Sequence, residues 1–532
     1  MSLLPFLLVT AVGAALTLLT RGTERVSAVI GLVALAAAVV AAATIDPGDV
    51  LLIHDSGLAT TAFLRLFLLL GAVCGVLLAI VGLAAGTRRD ASAVTLAVLA
   101  TSGLALAIPD VRVAVLAATA GGVVGSLLAI APSGGRLGAT VGMRALRAAA
   151  VSGTMAIAAA AWIGRELSEL SAQPVVFGLA YLAMALAVAI RFGAIPLHAW
   201  AARLTDSVPE ATLPLVTAWA PAAFAVIALA WADQSIAPLA VDVDSMRVVI
   251  LGIGAASIVL AAVAASIHDD IEHVVGYSII GDAGVIILAV AILDPEAWEP
   301  ARTFILAFVV ARSAFAAWAA ATRATFSTGR VADLRGWMLR SPLLAVAFVA
   351  VVLASIGLPG VAAFEARADI VDQALDGPLG ALLLLSTFSP LIYYGRLAFV
   401  GVGRPGPGRP AIVPGSRIVL EPLDRATRRA WLRTTWDANR AFTATVGALL
   451  IALVAVGTAV GGFGGPAAAA GFPPSLENVT ESFQPIDPDA TPEPEASEPL
   501  PSATLPSAPV GGIEEPSADP SSGPSPEPDP SE

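Results

Sequence analysis

The chain contains no lysine: all 29 of its basic residues are arginine. A GC-rich coding bias accounts for such usage, and the chemical consequence holds regardless of cause. A guanidinium stays protonated at any relevant pH, whereas a buried lysine readily gives up its proton, so every strongly basic group here is a fixed charge. Cysteine is nearly as scarce. The single one, Cys74, lies in an apolar run, which excludes a disulfide framework and a cysteine-based metal site and leaves the redox compartment unread. Charged residues make up only 13% of the 532. There is no nucleotide-binding loop, no cysteine cluster and no nucleophile with a partnered base, so independent catalysis is not expected.

What is abundant is apolar. Hydrophobic residues reach 57% and the mean hydropathy is +0.84, far too apolar for a surface in water. The apolar residues come in runs of about 18–24, the length a helix needs to cross the hydrocarbon core, and they lack the alternation of barrel strands. These runs predict an all-α polytopic membrane protein with about fourteen transmembrane helices. The first seven spans fall near Leu3–Leu19, Val26–Ala43, Leu58–Ala84, Ala91–Ile108, Val113–Ile130, Ala148–Ile163 and Val175–Ile195. The second seven fall near Thr212–Trp231, Val248–Ile267, Val274–Leu293, Thr303–Ala321, Leu343–Ala374, Leu379–Val400 and Phe442–Val460. The first run lacks the basic flank of a signal peptide and is expected to be retained.

Charge is distributed unevenly along this frame. The segment from Phe472 onward holds 13 of the 41 acidic residues and no base, so the remainder is close to neutral, 29 bases against the other 28 acids. That segment, rich in Pro, Ser, Asp and Glu, cannot bury enough apolar surface to fold and is expected to be a disordered tail over 464–532. Loops after odd-numbered spans carry roughly 20 arginines against 4 after even-numbered spans, which places both termini on the outer side of a bacterial-type cell membrane. The chain therefore divides into N-terminal spans (1–110), a core (111–400), a cytoplasmic basic loop (401–441), a last span (442–463) and the tail. Within the basic loop, Arg425 to Arg440 reads either as an amphipathic helix lying on the membrane or as a solvated loop.

Charges inside spans are costly and mark functional sites by default. Arg65, Arg191, Asp282, Arg312, Glu365, Arg367, Asp369, Asp372 and Arg396 qualify, with His198 just beyond the seventh run. In Ile190-Arg191-Phe192-Gly193-Ala194-Ile195-Pro196-Leu197-His198-Ala199-Trp200, Pro196 breaks the span and frees carbonyls that only buried protein or a water-lined cavity satisfies. Such discontinuous helices mark ion sites in transporters. The alternative is that Arg191 snorkels to the interface and Pro196 merely ends the span. In Gly357-Leu358-Pro359-Gly360 a second span breaks, followed by Glu365, Arg367 and Asp369; the two acids share a helical face and Arg367 lies off it. These charges read either as an intramembrane site or as a self-neutralising cluster at a boundary.

The first of these segments resembles the pattern F-K-x-x-x-x-P-F-H-x-W of the antiporter-like subunits of respiratory complex I and of Mrp-type cation/proton antiporters, with Ile190 and Arg191 where Phe and Lys are usual. Asp270-Ile271-Glu272-His273-Val274-Val275-Gly276-Tyr277-Ser278-Ile279-Ile280-Gly281-Asp282-Ala283-Gly284 resembles N-I-K-R-x-L-A-Y-S-S-I-x-H-x-G. Asp333-Leu334-Arg335-Gly336, Ser341-Pro342, the break from Gly357 to Arg367, and Tyr393-Tyr394-Gly395-Arg396 resemble the D-L-R-G, S-P, G-I-P-x-x-G-F-x-x-K and Y-Y-x-R series. The likeness runs in order over roughly residues 55–400. Span number and the Asp55–Leu70 stretch favour the N-type subunit of NADH-quinone oxidoreductase, with an Mrp-type subunit close behind.

The resemblance implies two related helix bundles, broken helices 7 and 12, and proton translocation within a multi-subunit membrane complex whose quinone, NADH, flavin and Fe–S centres belong to partners. No cofactor, metal or nucleic acid is expected on this chain, and its surroundings are partner subunits and the lipid bilayer. The expected proton path or charge network comprises Arg191, His198, Asp282, Arg312, Glu365, Arg367 and Asp369, with helix breaks at Pro196 and Pro359. The family's relay uses a fifth-span acid paired with a seventh-span Lys, then Lys or His groups leading to a Lys or Glu in the twelfth. Here no acid lies between Asp110 and Glu166, the eighth-span Lys falls near Ala220 or Pro221, and the other two Lys positions hold Arg191 and Arg367. Arginine does not shuttle protons, so the expectation is a rewired path through His198, Asp282 and Glu365, a cation/proton antiporter subunit, or a non-pumping structural subunit.

Overall fold

A segment of Leu, Ala, Val and Ile that crosses lipid has to satisfy every backbone polar group internally, which makes it helical. The computed structural model describes residues 2–53, 56–86, 91–131, 135–162, 174–235, 243–293, 297–403 and 425–462, and these are almost entirely helical. The acidic tail from residue 464 and residues 404–424 of the basic loop lie outside them.

The first spans are α1 (Leu4–Leu19), α2 (Glu24–Ala43), α3 (Ala62–Ala84), α4 (Ala91–Ala107), α5 (Val111–Ile130) and α6 (Gly135–Trp162). Thr61 and Asp110 start α3 and α5 by accepting the amides of Leu64 (3.1 Å) and Arg112 (2.8 Å). A short antiparallel hairpin, β1 (Val50–Ile53) and β2 (Ser56–Ala59), pairs Val50 with Ala59 ahead of α3. Leu58 and Ala59 are therefore strand, and the third span begins at Ala62 rather than at Leu58.

The seventh span is α7 (Pro174–Phe192) followed, after a break, by α8 (Ala199–Leu204). A π-helical turn at Leu215–Trp219 leads into α9 (Ala220–Ser235), and α10 (Asp244–Ile267), α11 (Ile271–Ala291) and α12 (Trp298–Phe326) follow. The twelfth span is broken into α13 (Pro342–Ile356) and α14 (Ala362–Ala374). The thirteenth is also interrupted, into α15 (Gly377–Ser386) and α16 (Pro390–Val402), because Pro390 cannot continue the hydrogen-bond ladder. The last helix, α17 (Arg425–Ala459), has 35 residues. At about 1.5 Å per residue it is roughly 52 Å long, well beyond a core of about 30 Å. The Arg425–Arg440 stretch is thus continuous with the final span, not a separate helix or a loop.

Among the described residues eleven helical segments are long and apolar enough to cross a membrane, and three shorter apolar helices, α1, α4 and α13, complete the expected fourteen. The π turn with α9, α11 and α12 are almost wholly buried, whereas α2, α6, α10 and α15–α16 turn leucine and valine outward. α12 is the axis of the second half, packed by α3, α11, α13, α14 and α17. Small residues set the closest helix contacts: a Cβ on Gly284 of α11 would come within 2.6 Å of the Gly254 carbonyl of α10.

Candidate functional site

Both helix breaks are built alike. α7 stops at Gly193 (φ 66°) and α13 at Gly357 (φ 70°), a region glycine enters without steric cost, and a proline follows in each: Pro196 and Pro359. The freed carbonyls find side-chain donors. At the first break Trp200 Nε1 donates to the Ile190 carbonyl (2.8 Å), and the Ile195 amide donates to Ser257 Oγ (3.0 Å). At the second, Arg367 reaches back from α14 and donates to the Ser355 (2.6 Å) and Ile356 (2.8 Å) carbonyls that end α13. Arg367 is buried, with its guanidinium 5.4 Å from the centre of the Phe304 ring.

From that second break a buried chain of polar contacts runs to the middle of the bundle. The Tyr394 hydroxyl donates to Ser355 Oγ (3.0 Å) and accepts from Arg312 Nη1 (3.2 Å), which also lies 3.4 Å from the Tyr393 hydroxyl. Arg312 Nη2 sits 2.8 Å from Asp282 Oδ2, an ionic contact off the hydrogen-bond axis. The two side chains are 0% and 7% exposed. Asp282 is eleven residues into α11, about 16 Å from its start and hence near mid-membrane. The sequence thus supplied all three charged members, Asp282, Arg312 and Arg367; Ser355 and the tyrosine pair join them, the latter visible only as a Y-Y-x-R motif.

Arg191 occupies a separate buried place. Its Nη2 donates to the Ala118 (2.8 Å) and Thr119 (3.2 Å) carbonyls of α5, and its guanidinium stands 5.4 Å from the centre of the Phe224 ring. It does not snorkel. Gly122 of α5 faces it so closely that a Cβ there would collide with the guanidinium. The lack of an acid in the fifth span is therefore matched by backbone acceptors and a glycine, signalled only by Gly121-Gly122.

Glu365 and Asp369 are exposed on the outer face of α14, and no ion pair joins either to Arg367 among the described residues. His198 is half-buried with its ring 6.2 Å from that of Tyr277. Tyr277 stacks on His268 (5.1 Å), His268 on His273 (4.8 Å), and His273 Nε2 meets Asp206 Oδ1 at 3.2 Å. Three of the chain's four histidines thus gather at the arginine-rich face of the bundle. Sequence reasoning singled out only His198, because His268 and His273 sit in a polar loop and at a helix start where solvated residues are ordinary. Burial, then the charge of His273, hold the His268 pKa below the ordinary imidazole value, with Asp270 opposing. Arg396 fastens the same face, donating to the Ser266 (2.8 Å) and His268 (2.5 Å) carbonyls and to Asp269 (2.6 Å).

With this geometry in view, residues 149–392 match the family described as NADH:quinone oxidoreductase/Mrp antiporter, TM. The match contains both helix breaks and the Asp282–Arg312–Arg367 network, but begins well after residue 55, where the motif likeness started. The chain is similar to NADH-quinone oxidoreductase subunit N of Hydrogenovibrio crunogenus, 26% identical over 229 residues, 42% of this chain and 47% of that protein. It spans about half the length of the curated relatives it matches. Its fold is similar to a chain of respiratory complex I from Thermus thermophilus (TM-score 0.61, 18% identity, covering 85% of this chain and 97% of that one). It is equally similar in fold to a chain of the Mrp complex from Dietzia sp. DQ12-45-1b (TM-score 0.63, 19% identity, 88% and 97%).

Proposed function

We propose that the chain is a membrane subunit of an NADH-quinone oxidoreductase-type complex and contributes to proton translocation coupled to electron transfer, the redox groups residing in partner subunits. The observation that carries this reading is the buried Asp282–Arg312–Tyr394–Ser355–Arg367 chain, which joins a mid-membrane carboxylate to the carbonyls of a broken helix. Intramembrane charges facing a bundle interior at helix breaks mark ion pathways. In this chain the fixed charges of Arg312 and Arg367 orient the path and stabilise negative charge. Asp282 is the carboxylate in the network able to gain and lose a proton. His198, Tyr277, His268 and His273 supply titratable groups toward the arginine-rich face, proposed as the inner side with both termini outside. Among the described residues, Arg191, Arg312 and Arg367 each leave a buried Nε–H without an acceptor, a polar lining suited to water along the path.

A second reading rests on Arg191. Bonded to α5 carbonyls with no acid opposite, it offers no exchangeable proton, as a structural subunit that keeps the fold and its contacts without conducting would have it. A third, a cation/proton antiporter subunit, makes transport depend on Na⁺ or K⁺. Purification with companion subunits and reconstitution into vesicles separates them. The first reading predicts NADH-driven proton movement independent of Na⁺ and K⁺. Isolation without companions, or proton movement only upon adding either cation, contradicts it.

A further inference from the structure

A cavity of about 530 Å³ opens at the arginine-rich face between the start of α11, the end of α12, the turn after α3 and the loop after α8. Glu210, Glu272 and Asp206 line it together with Arg323. Glu210 is 1% exposed, and one oxygen, Oε1, accepts from Arg323 Nη1 at 2.8 Å. The other, Oε2, is buried without a hydrogen-bond partner among the described residues. The same Arg323 nitrogen also bonds Glu272 Oε1, so two carboxylates from different segments converge on one guanidinium nitrogen. Two hydrogen bonds to a common atom hold their oxygens within ~6 Å of each other.

We propose that Glu210 and Glu272 form a proton-binding site, one proton held between the unpartnered Oε2 of Glu210 and the Glu272 carboxyl and exchanging with water in the cavity. The charge count agrees. Two carboxylates and one arginine leave a net charge of −1, which a single proton taken up from the cavity brings to zero. A like-charged carboxylate pair behaves this way because the second ionisation works against the first. The other charges facing the pair are largely balanced among themselves. Asp206 is held by His273 Nε2 (3.2 Å) and by Arg203 (3.4 Å), Asp270 lies at the start of α11, and His268 stacks on His273. Arg440 of α17 lies behind the lining residues Ala85 and Gly86, donating to the Ala84 carbonyl (3.0 Å). Where the pattern N-I-K-R that this segment resembles has Lys-Arg, this sequence has Glu272-His273. The site stands apart from the proposed function, since a proton is bound there at equilibrium whether or not the core conducts.

The test is infrared spectroscopy of the full-length protein across a pH titration, following the carbonyl stretch of protonated carboxyl groups and its shift in D₂O. A protonated-carboxyl band equivalent to one group per chain is expected at neutral pH in the wild type, lost in both Glu210→Gln and Glu272→Gln. Persistence of that band in both variants overturns the proposal, as does its absence from the wild type at neutral pH. The wild-type titration stands even if a variant fails to fold. Loss of the band at constant pH on adding NaCl or KCl, but not choline chloride, also overturns it, in favour of a metal-cation site.

Discussion

Removing Asp282 alone leaves Arg312, 0% exposed, with only two tyrosine hydroxyls at 3.2 and 3.4 Å for its charge. Breaking a buried pair by deleting one partner costs about 3–5 kcal/mol, because the survivor is an uncompensated charge in low dielectric. Asp282→Ala should therefore shift the folded-to-unfolded ratio by roughly two to four orders of magnitude. Removing both charges, as Asp282→Leu with Arg312→Met, discards the desolvation penalty along with the attraction. Losing the arginine's bonds to the two tyrosines adds about 0.5–1.5 kcal/mol for each hydroxyl. The double variant should thus lie within about 3 kcal/mol of wild type, far above the sum of the single losses, a coupling that the double-mutant cycle isolates. The protein carries its own reporter: Cys74, its single cysteine, is 0% exposed and reacts with a maleimide dye only once the bundle opens. Thiol reactivity against denaturant in mild detergent gives all four stabilities. A double variant as unstable as the sum of the two singles, or Asp282→Ala within 1 kcal/mol of wild type, would refute the reasoning.

Other perturbations follow from the same contacts. Gly122→Ala places a methyl group against the Arg191 guanidinium, so a loss of about 1–3 kcal/mol is expected from overpacking, read by the same thiol assay. Arg367→Lys keeps the charge but not the fork that holds the Ser355 and Ile356 carbonyls; a loss of at least about 1.5 kcal/mol is expected, and wild-type stability would show that the fork does not secure the break. His268 has a depressed pKa in the folded state, so the unfolded chain binds more protons between that value and 6.5, and stability falls as pH drops below about 6.5. His268→Gln should flatten that part of the stability profile, and an unchanged profile would count against it.

The fold was legible in sequence because lipid imposes one rule on every span. Apolar runs separated by arginine-bearing loops were enough to number the fourteen helices, and Pro196 and Pro359 marked the two breaks. Finer features were not legible. The strands at 50–53 and 56–59 are short apolar runs set just before an apolar span, and nothing in the run from Arg425 to Ala459 distinguishes one long helix from two segments. Within the site, charge was the visible signal. Asp282, Arg312 and Arg367 announced themselves as charges among leucines, but which acid would meet which arginine depended on helix packing. Glu365 and Asp369 sit next to Arg367 in sequence and face away from it, while Asp282, 85 positions earlier, joins its network. Glu210 escaped notice because it lies in a polar loop; only tertiary structure buries it against Arg323.

Asp282 is proposed to carry protons within a network of fixed arginine charge, and charge-neutral variants that spare the fold probe that role. Asp282→Asn with Arg312→Gln, assembled with its companion subunits in vesicles, should retain NADH-driven electron transfer and lose the proton translocation that depends on this subunit. An unchanged number of protons moved per electron would contradict the account.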